Sequence, residues 1–372
     1  MGKKILITGG AGFIASHLAD ELLAQGYYVR ALDNLSAQVH GHGAGRPAYL
    51  DNSVELVVGD VRDRDAVTRA LEGVDAVFHF AAAVGVGQSM YRIAEYTSIN
   101  NMGTAILLEC LSAHPVQKLI TASSMSIYGE GLYKSADGTT YENAERSMEN
   151  IRAGRWEPVD PSGNPLIPAP TPESKRPKLA SVYALSKYDQ EILGLMLAKT
   201  YGIQAAALRF FNVYGPRQAL SNPYTGVLTI FASRLLNGNS PIVYEDGNQQ
   251  RDFVSVHDVA SACRLVLESE SSDGTAFNIG SGSPQTVIGA AGKLTEVIGS
   301  PGLEPVITGK YRMGDIRHCF ADITLAKEKL GYNPSVSFEQ GLTELAGWLE
   351  GETALDKVEQ AQHELAERGL VV

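Results

Sequence analysis

The sequence predicts an α/β fold built on a doubly wound parallel sheet, with a smaller mixed α/β lobe. Three observations carry that expectation. Short apolar runs alternate with amphipathic stretches through the first part of the chain. The runs are apolar throughout instead of alternating, as strands covered by helices on both faces require. A glycine-rich turn joins the first run to the first helical stretch, which is the Rossmann arrangement for holding a dinucleotide.

In chain order, the expected strands are "KKILITG", "YYVRALD", "VELVVGD", "AVFHFAA", "KLITASS" and "AAALRFF". Between the first two, "SHLADELLAQG" sets Leu18, Leu22 and Leu23 on one helical face and stops at Gly26. The segment 132–178 breaks the alternation with proline, glycine and charge, and reads equally as a surface excursion or a substrate-facing lid. Beyond Pro216, helices are expected over Val227 to Leu236 and Val256 to Leu267, a strand at "AFNIG", and helix again from Phe338. The amphipathic end of the chain, "ALDKVEQAQHELAERGL", is expected to serve packing. Residues 1–215 should form the dinucleotide domain, with 132–178 inserted and a return near 254–282, and 216–372 should form most of the second lobe.

Composition excludes several classes. No apolar run among the 372 residues approaches the length of a membrane span. A net charge of -11 disfavours a nucleic-acid groove. Cys110, Cys263 and Cys319 are far apart and form no CxxC pair, and the histidines lack ligand spacing, so no metal is expected. With no secretion signal at the start, a cytoplasmic protein is expected.

"ITGGAGFIASHLA" puts Gly9, Gly10 and Gly12 between strand and helix, where bare backbone amides and the helix N-terminus can receive a pyrophosphate. Asp33 closes the second strand; its carboxylate can accept from an adenosine ribose and would repel a 2'-phosphate, which favours NAD. Asp60, followed by Val61, ends the third strand and should meet the adenine edge, with helix capping as its bland alternative.

In "SVYALSKYDQE", Tyr183 and Lys187 stand four apart and share a helical face. A tyrosine is a poor base at neutral pH, and lowering its pKa by about 3 units takes roughly 4 kcal/mol, which a nearby ammonium and a cofactor cation would supply. "TASSMSIYG" ends the fifth strand, where an open α/β sheet binds ligands, and brings hydroxyls at Ser124 and Ser126.

The motifs "TGGAGFIASH", "DNLS", "GDVRD", "FHFAA", "NNMGT", "SSMSIYG", "YALSK", "RFFNVYGPRQ", "QQRDFVSVHDVA" and "GDIRH" run in order along nearly the whole chain. This set resembles the extended short-chain dehydrogenases/reductases, specifically their nucleotide-sugar epimerases. The resemblance implies a bound NAD also touched by Phe13, Ile14, Asn34, Ser36, Phe80, Ala81, Ala82, Asn100, Ala122 and Val213. It implies Tyr183 as base, Lys187 as its partner and Ser124 as the third member, with Met125, Ser126 and Asn212 near the sugar. Arg251 and Arg312 match the arginines that hold the diphosphate, while Asp258 reads as a structural cap. A homodimer through helices around Gly103 to Leu111 and Tyr183 to Lys199 is implied too.

Family dehydratases carry an Asp-Glu pair where this chain has Met125 and Ser126, and decarboxylases a glutamate at the latter position. Epimerisation at C4 through a 4-keto sugar is therefore the expected reaction. A nucleotide-sugar 4-reductase and an NAD-sensing regulator are the rivals, and an intact Ser124, Tyr183 and Lys187 set argues against a sensor. The long segment before Tyr183 is most similar to bacterial epimerases of dTDP-linked 6-deoxyhexoses. The expected pair is dTDP-L-rhamnose and dTDP-6-deoxy-L-talose, with Val84, Val86 and Met125 beside the C6 methyl. UDP-hexose, UDP-uronate and nucleotide-heptose are the alternatives.

Overall fold

A computed structural model describes residues 2–224 and 226–371. Seven strands form the central sheet: Lys4–Thr8, Tyr28–Asp33, Glu55–Val58, Ala76–His79, Lys118–Ser124, Gln204–Phe210 and Thr275–Ile279. All pair in parallel, and by chain order they lie 3-2-1-4-5-6-7. The reversal between the first and fourth strands opens the crevice in which such sheets bind ligands. The buried runs explain the layering. Ile5, Ile7, Phe78, Ile120 and Leu208 pack to one side of the sheet with the first helix, whereas Leu6, Val77 and Leu119 pack to the other.

The first helix is Phe13–Ala24 and buries Leu18 and Leu22. Helix Val256–Glu268 packs beside it, and the strand Thr275–Ile279 that follows adds to the sheet edge. Thus a stretch from the later half of the chain completes the first layer.

The second lobe is built on strands Asn212–Tyr214, Gln250–Ser255, Pro284–Thr286 and His318–Cys319. Helices Val227–Leu236, Val287–Ile298 and Phe338–Leu349 cover it through Leu228, Phe231, Leu294, Leu342 and Leu345. Among the described residues no helix is long and apolar enough to cross a membrane.

The segment 132–178 is folded and firmly attached. Strand Leu132–Lys134 pairs antiparallel with Thr140–Tyr141 and Ile167–Ala169. Arg146 reaches out of it to Glu130 at 3.1 Å, Glu245 at 2.7 Å and the Asp315 carbonyl at 2.6 Å. From the second lobe, Arg317 reaches back to Glu157 at 2.5 Å while also holding Glu245 and Asp246. Both arginine side chains are almost wholly buried. Such pairs fix register between parts, and removing one member leaves uncompensated buried charge.

Candidate active site

The glycine turn has the shape that a dinucleotide needs. Gly9 has φ of 67°, and a Cβ there would meet the Ala81 backbone at 3.0 Å. A Cβ on Gly10 would strike Ala31 at 2.5 Å, so the turn lies tight against the sheet, where Gly9 N donates to Leu32 O at 2.8 Å. Gly12 caps the first helix without a side-chain bond, leaving the helix N-terminus open to an anion. Phe13 and Ile14 follow at the start of that helix.

Asp33 accepts from Ala11 N at 3.0 Å and Leu35 N at 2.8 Å. A carboxylate has about four acceptor positions, so two remain for a ribose. Asn34 donates to Asp60 at 3.0 Å, and Ser36 precedes the short helix Ala37–His40. Asp60 does not cap a helix; Asp63 does, accepting from Asp65 N and Ala66 N. Instead Arg62 grips Asp60 and lowers its carboxyl to about 2. Val61 is buried against Gly103.

Behind the crevice, Thr8 Oγ1 accepts from Phe80 N and Ala81 N, each at 3.2 Å, which sets the loop containing Ala82. Asn100, expected beside the cofactor, is fully buried; its amide is committed to Ala83 N at 2.7 Å, Ala83 O at 3.1 Å and Ser186 Oγ at 2.8 Å. It therefore shapes the same loop from behind. Ala122 is buried in the fifth strand, and Val213 lies partly buried across the crevice in the second lobe.

Helix Val182–Thr200 carries Tyr183 and Lys187 and is started by Ser181, whose hydroxyl accepts from Ala184 N. The sequence made this helix, and packing aims it: Tyr183 N donates to Ser89 Oγ at 3.1 Å, and Tyr96 stands edge-on to the phenol ring at 6.5 Å. Tyr183 bonds Ser124, whose oxygen also accepts from Ser126 Oγ at 2.9 Å. Ser124, Ser126 and Tyr183 thus form one hydroxyl cluster, with Met125 buried next to it.

Lys187 does not touch the phenol here; its ammonium donates to Gln190 Oε1 at 2.6 Å. Burial pushes the Tyr183 phenol up, and the bond from Ser124 offsets part of that rise. Lys187 is itself lowered to about 7 by burial, with the Glu191 charge opposing. In the protein alone burial opposes the charged form of both groups, so a phenolate needs the cofactor's positive charge as well.

Arg251 and Arg312 come together at Asp315, at 3.8 Å and 3.2 Å. Arg251 also donates to the carbonyls of Gln250, Ile316 and Arg317, and Arg312 lies over the Tyr244 ring. Asp258 holds the backbone of Ser335 and Val336, as a structural residue would. Among the described residues no cluster could hold a metal.

Three features go beyond the sequence reading, which had named only Asn212 from the first of them. Asn212 Oδ1, Gln218 Oε1 and Thr229 Oγ1 are buried without hydrogen-bond partners. Their residues line a small cavity at the start of helix Val227–Leu236, where Gly226 caps without a side-chain bond. Two of these orphaned atoms are amide oxygens, which only accept, so the cavity suits a group that donates a hydrogen bond. The C-terminal helix Val358–Glu367 does pack, through Val358, Ala361 and Leu365, yet it also bonds side chains from two distant parts of the chain. Glu364 accepts from Tyr91 OH at 2.8 Å and Tyr224 OH at 3.0 Å, and Met313 N donates to Leu370 O at 2.9 Å. Lastly, Gln190 had no signal in the sequence beyond its place on the helix.

The match to known proteins follows this geometry. The model of the NAD dependent epimerase/dehydratase family matches residues 5–150 and 159–280. The chain belongs to that family. It is 36% identical to dTDP-L-rhamnose 4-epimerase of Burkholderia thailandensis over 353 residues, 94% of this chain and 95% of that one. The UDP-glucose 4-epimerase of Thermotoga maritima, solved with UDP-glucose, superposes with a TM-score of 0.76 at 32% identity, covering 93% and 98% of the two chains. The Thermus thermophilus UDP-glucose 4-epimerase, solved with NAD, gives a TM-score of 0.73 at 30% identity, covering 94% and 100%. The protein is an NAD-dependent nucleotide-sugar 4-epimerase, an isomerase.

Proposed function

We propose that this epimerase interconverts dTDP-L-rhamnose and dTDP-6-deoxy-L-talose, with Tyr183, Lys187 and Ser124 as its catalytic set. The hydroxyl cluster of Ser124, Ser126 and Tyr183 carries the mechanism, since it offers one proton-transferring group and no carboxyl to drive elimination. NAD, which the Gly9–Gly12 turn and Asp33 would hold, would supply reversible hydride transfer at C4 of the sugar. Tyr183 takes the C4 hydroxyl proton and later returns it, Ser124 holds the oxygen in line, and Lys187 steadies the phenolate. Arg251 and Arg312 would receive the nucleotide diphosphate, and Asn212 would meet the sugar.

The sugar assignment rests on the 36% identity to the rhamnose enzyme over nearly both full lengths. Val84, Val86 and Met125 would lie beside the C6 methyl, which their apolar side chains suit better than a hydroxyl. Turnover of dTDP-L-rhamnose, UDP-glucose, UDP-glucuronate and a nucleotide-linked heptose, compared without added cofactor, tests this. The rhamnose nucleotide should have the highest kcat/KM; if it is inert while another sugar converts, the assignment fails. Tyr183→Phe should abolish turnover with NAD still bound.

A homodimer is proposed as well. Leu185, Ile192 and Met196 recur on one face of helix Val182–Thr200 and are exposed, as is Met102 on the turn entering the neighbouring helix Gly103–Ala113. An apolar face of this kind on two adjoining helices suits a second copy. Three buried free cysteines fit the reducing cytoplasm, where we place the enzyme.

A further inference from the structure

We propose that Gln190 is a positioning residue for proton transfer: its side-chain oxygen anchors the Lys187 ammonium, and a buried hydrogen-bond chain through Thr104, His79 and Thr8 dictates which way its amide points. The inference rests on the reading of Lys187 as partner to the Tyr183 base.

An amide can face either way, so the orientation must be argued from its neighbours. One end of the Gln190 amide lies 2.9 Å from Thr104 Oγ1 and 3.4 Å from Ala81 O. The carbonyl can only accept. The Thr104 hydroxyl gives its proton to Asn100 O at 2.5 Å, so it too presents an acceptor to Gln190. Two acceptors demand the NH2 group at that end. The oxygen is left facing Lys187 Nζ, which can only donate, at 2.6 Å.

The chain continues with a fixed sense. Thr8 Oγ1 accepts from the amides of Phe80 and Ala81, so its proton points to His79 Nδ1 at 2.8 Å. The ring proton therefore sits on Nε2, directed at Thr104 Oγ1 at 2.8 Å, and the Gln190 nitrogen, 3.1 Å from Nε2, donates to that same hydroxyl oxygen and not to the ring. His79 stays neutral, since burial and the Lys187 charge hold it at about 3. Thr8, His79, Thr104 and Gln190 are all at most 1% exposed, so water cannot substitute for a missing partner.

The surroundings leave the ammonium to Gln190. Tyr183 stands one turn earlier on the same helix, with Tyr96 across its ring; His79 is neutral. Glu191 is taken by Arg209 at 2.6 Å. Among the described residues, Gln190 Oε1 is the one hydrogen-bond acceptor on Lys187. Because burial brings this lysine to about 7, the quality of that single acceptor decides how much of it is charged near neutral pH.

The test uses the NAD-bound enzyme as wild type, Gln190→Leu, Gln190→Glu and Lys187→Ala, with kcat/KM followed against pH. The probe is dTDP-L-rhamnose, or whichever sugar the panel above shows to turn over. Leucine keeps the bulk and removes the acceptor, so the alkaline limb should move down by about half a unit or more, with kcat falling more than KM changes. Glutamate keeps an acceptor and adds charge, so the limb should move up. Should the leucine variant not fold, the upward shift in the glutamate variant decides alone. Limbs that move together, or not at all, overturn the proposal when Lys187→Ala is inactive. An active Lys187→Ala would instead overturn the reading of Lys187 itself.

Discussion

Replacing Lys187 with methionine should stabilise the cofactor-free protein at neutral pH while removing its activity. The side chain is 3% exposed, and burial lowers its ammonium from the usual 10.5 to about 7. At about 1.4 kcal/mol per pKa unit, holding that proton at pH 6 costs the fold roughly 3 to 5 kcal/mol. Methionine removes this cost but leaves Gln190 Oε1 without its donor, a loss of about 1 to 3 kcal/mol. The net gain is about 2 kcal/mol. With an unfolding entropy of about 2 cal/mol/K per residue, a chain of this length should melt about 2 to 3 °C higher. The pH dependence gives the sharper sign. A lysine whose folded pKa lies below its unfolded value binds its proton more readily in the unfolded chain, so wild-type stability rises between about pH 7 and 10.5. The advantage of methionine should therefore be greatest at pH 6, shrink above pH 7 and reverse near pH 10, where neutral lysine still donates to Gln190. Differential scanning calorimetry of both cofactor-stripped proteins at pH 6, 8 and 10 measures it. A methionine variant that melts lower at pH 6, or differs by the same amount at every pH, refutes the reasoning.

Three further outcomes are expected. Asp33→Ser removes the charge that opposes a 2'-phosphate, so NADP binding should rise and NAD binding fall, each by about tenfold in titration calorimetry; an unchanged preference would take Asp33 out of that role. Arg317→Met leaves Glu157, Glu245 and Asp246 facing one another, and should destabilise the protein by about 3 to 5 kcal/mol and open segment 132–178 to limited proteolysis. Met196→Glu places charge in the exposed apolar face, so light scattering should show a wild-type dimer and a monomeric variant; a monomeric wild type would remove the dimer.

The sequence carried those parts of the molecule that local chemistry decides. Apolar runs fixed which segments became buried strands, and Gly9, Gly10 and Gly12 were legible because only glycine fits where a Cβ would strike Ala81 or Ala31. Tyr183 and Lys187 were legible because a helical turn brings residues four apart onto one face. The rest depended on which distant segments meet. Gln190 looked like any polar helix residue until Thr104, 86 positions away and itself held by His79, came up behind it and fixed its amide. Likewise segment 132–178 read as excursion or lid alike, because nothing local tells that Arg146 will find Glu245, or Arg317 find Glu157 across 160 positions. A charged residue in a sequence is drawn as solvated by default; only the tertiary fold, by withdrawing water from both partners at once, makes the pairing compulsory and turns a polar segment into a clamp.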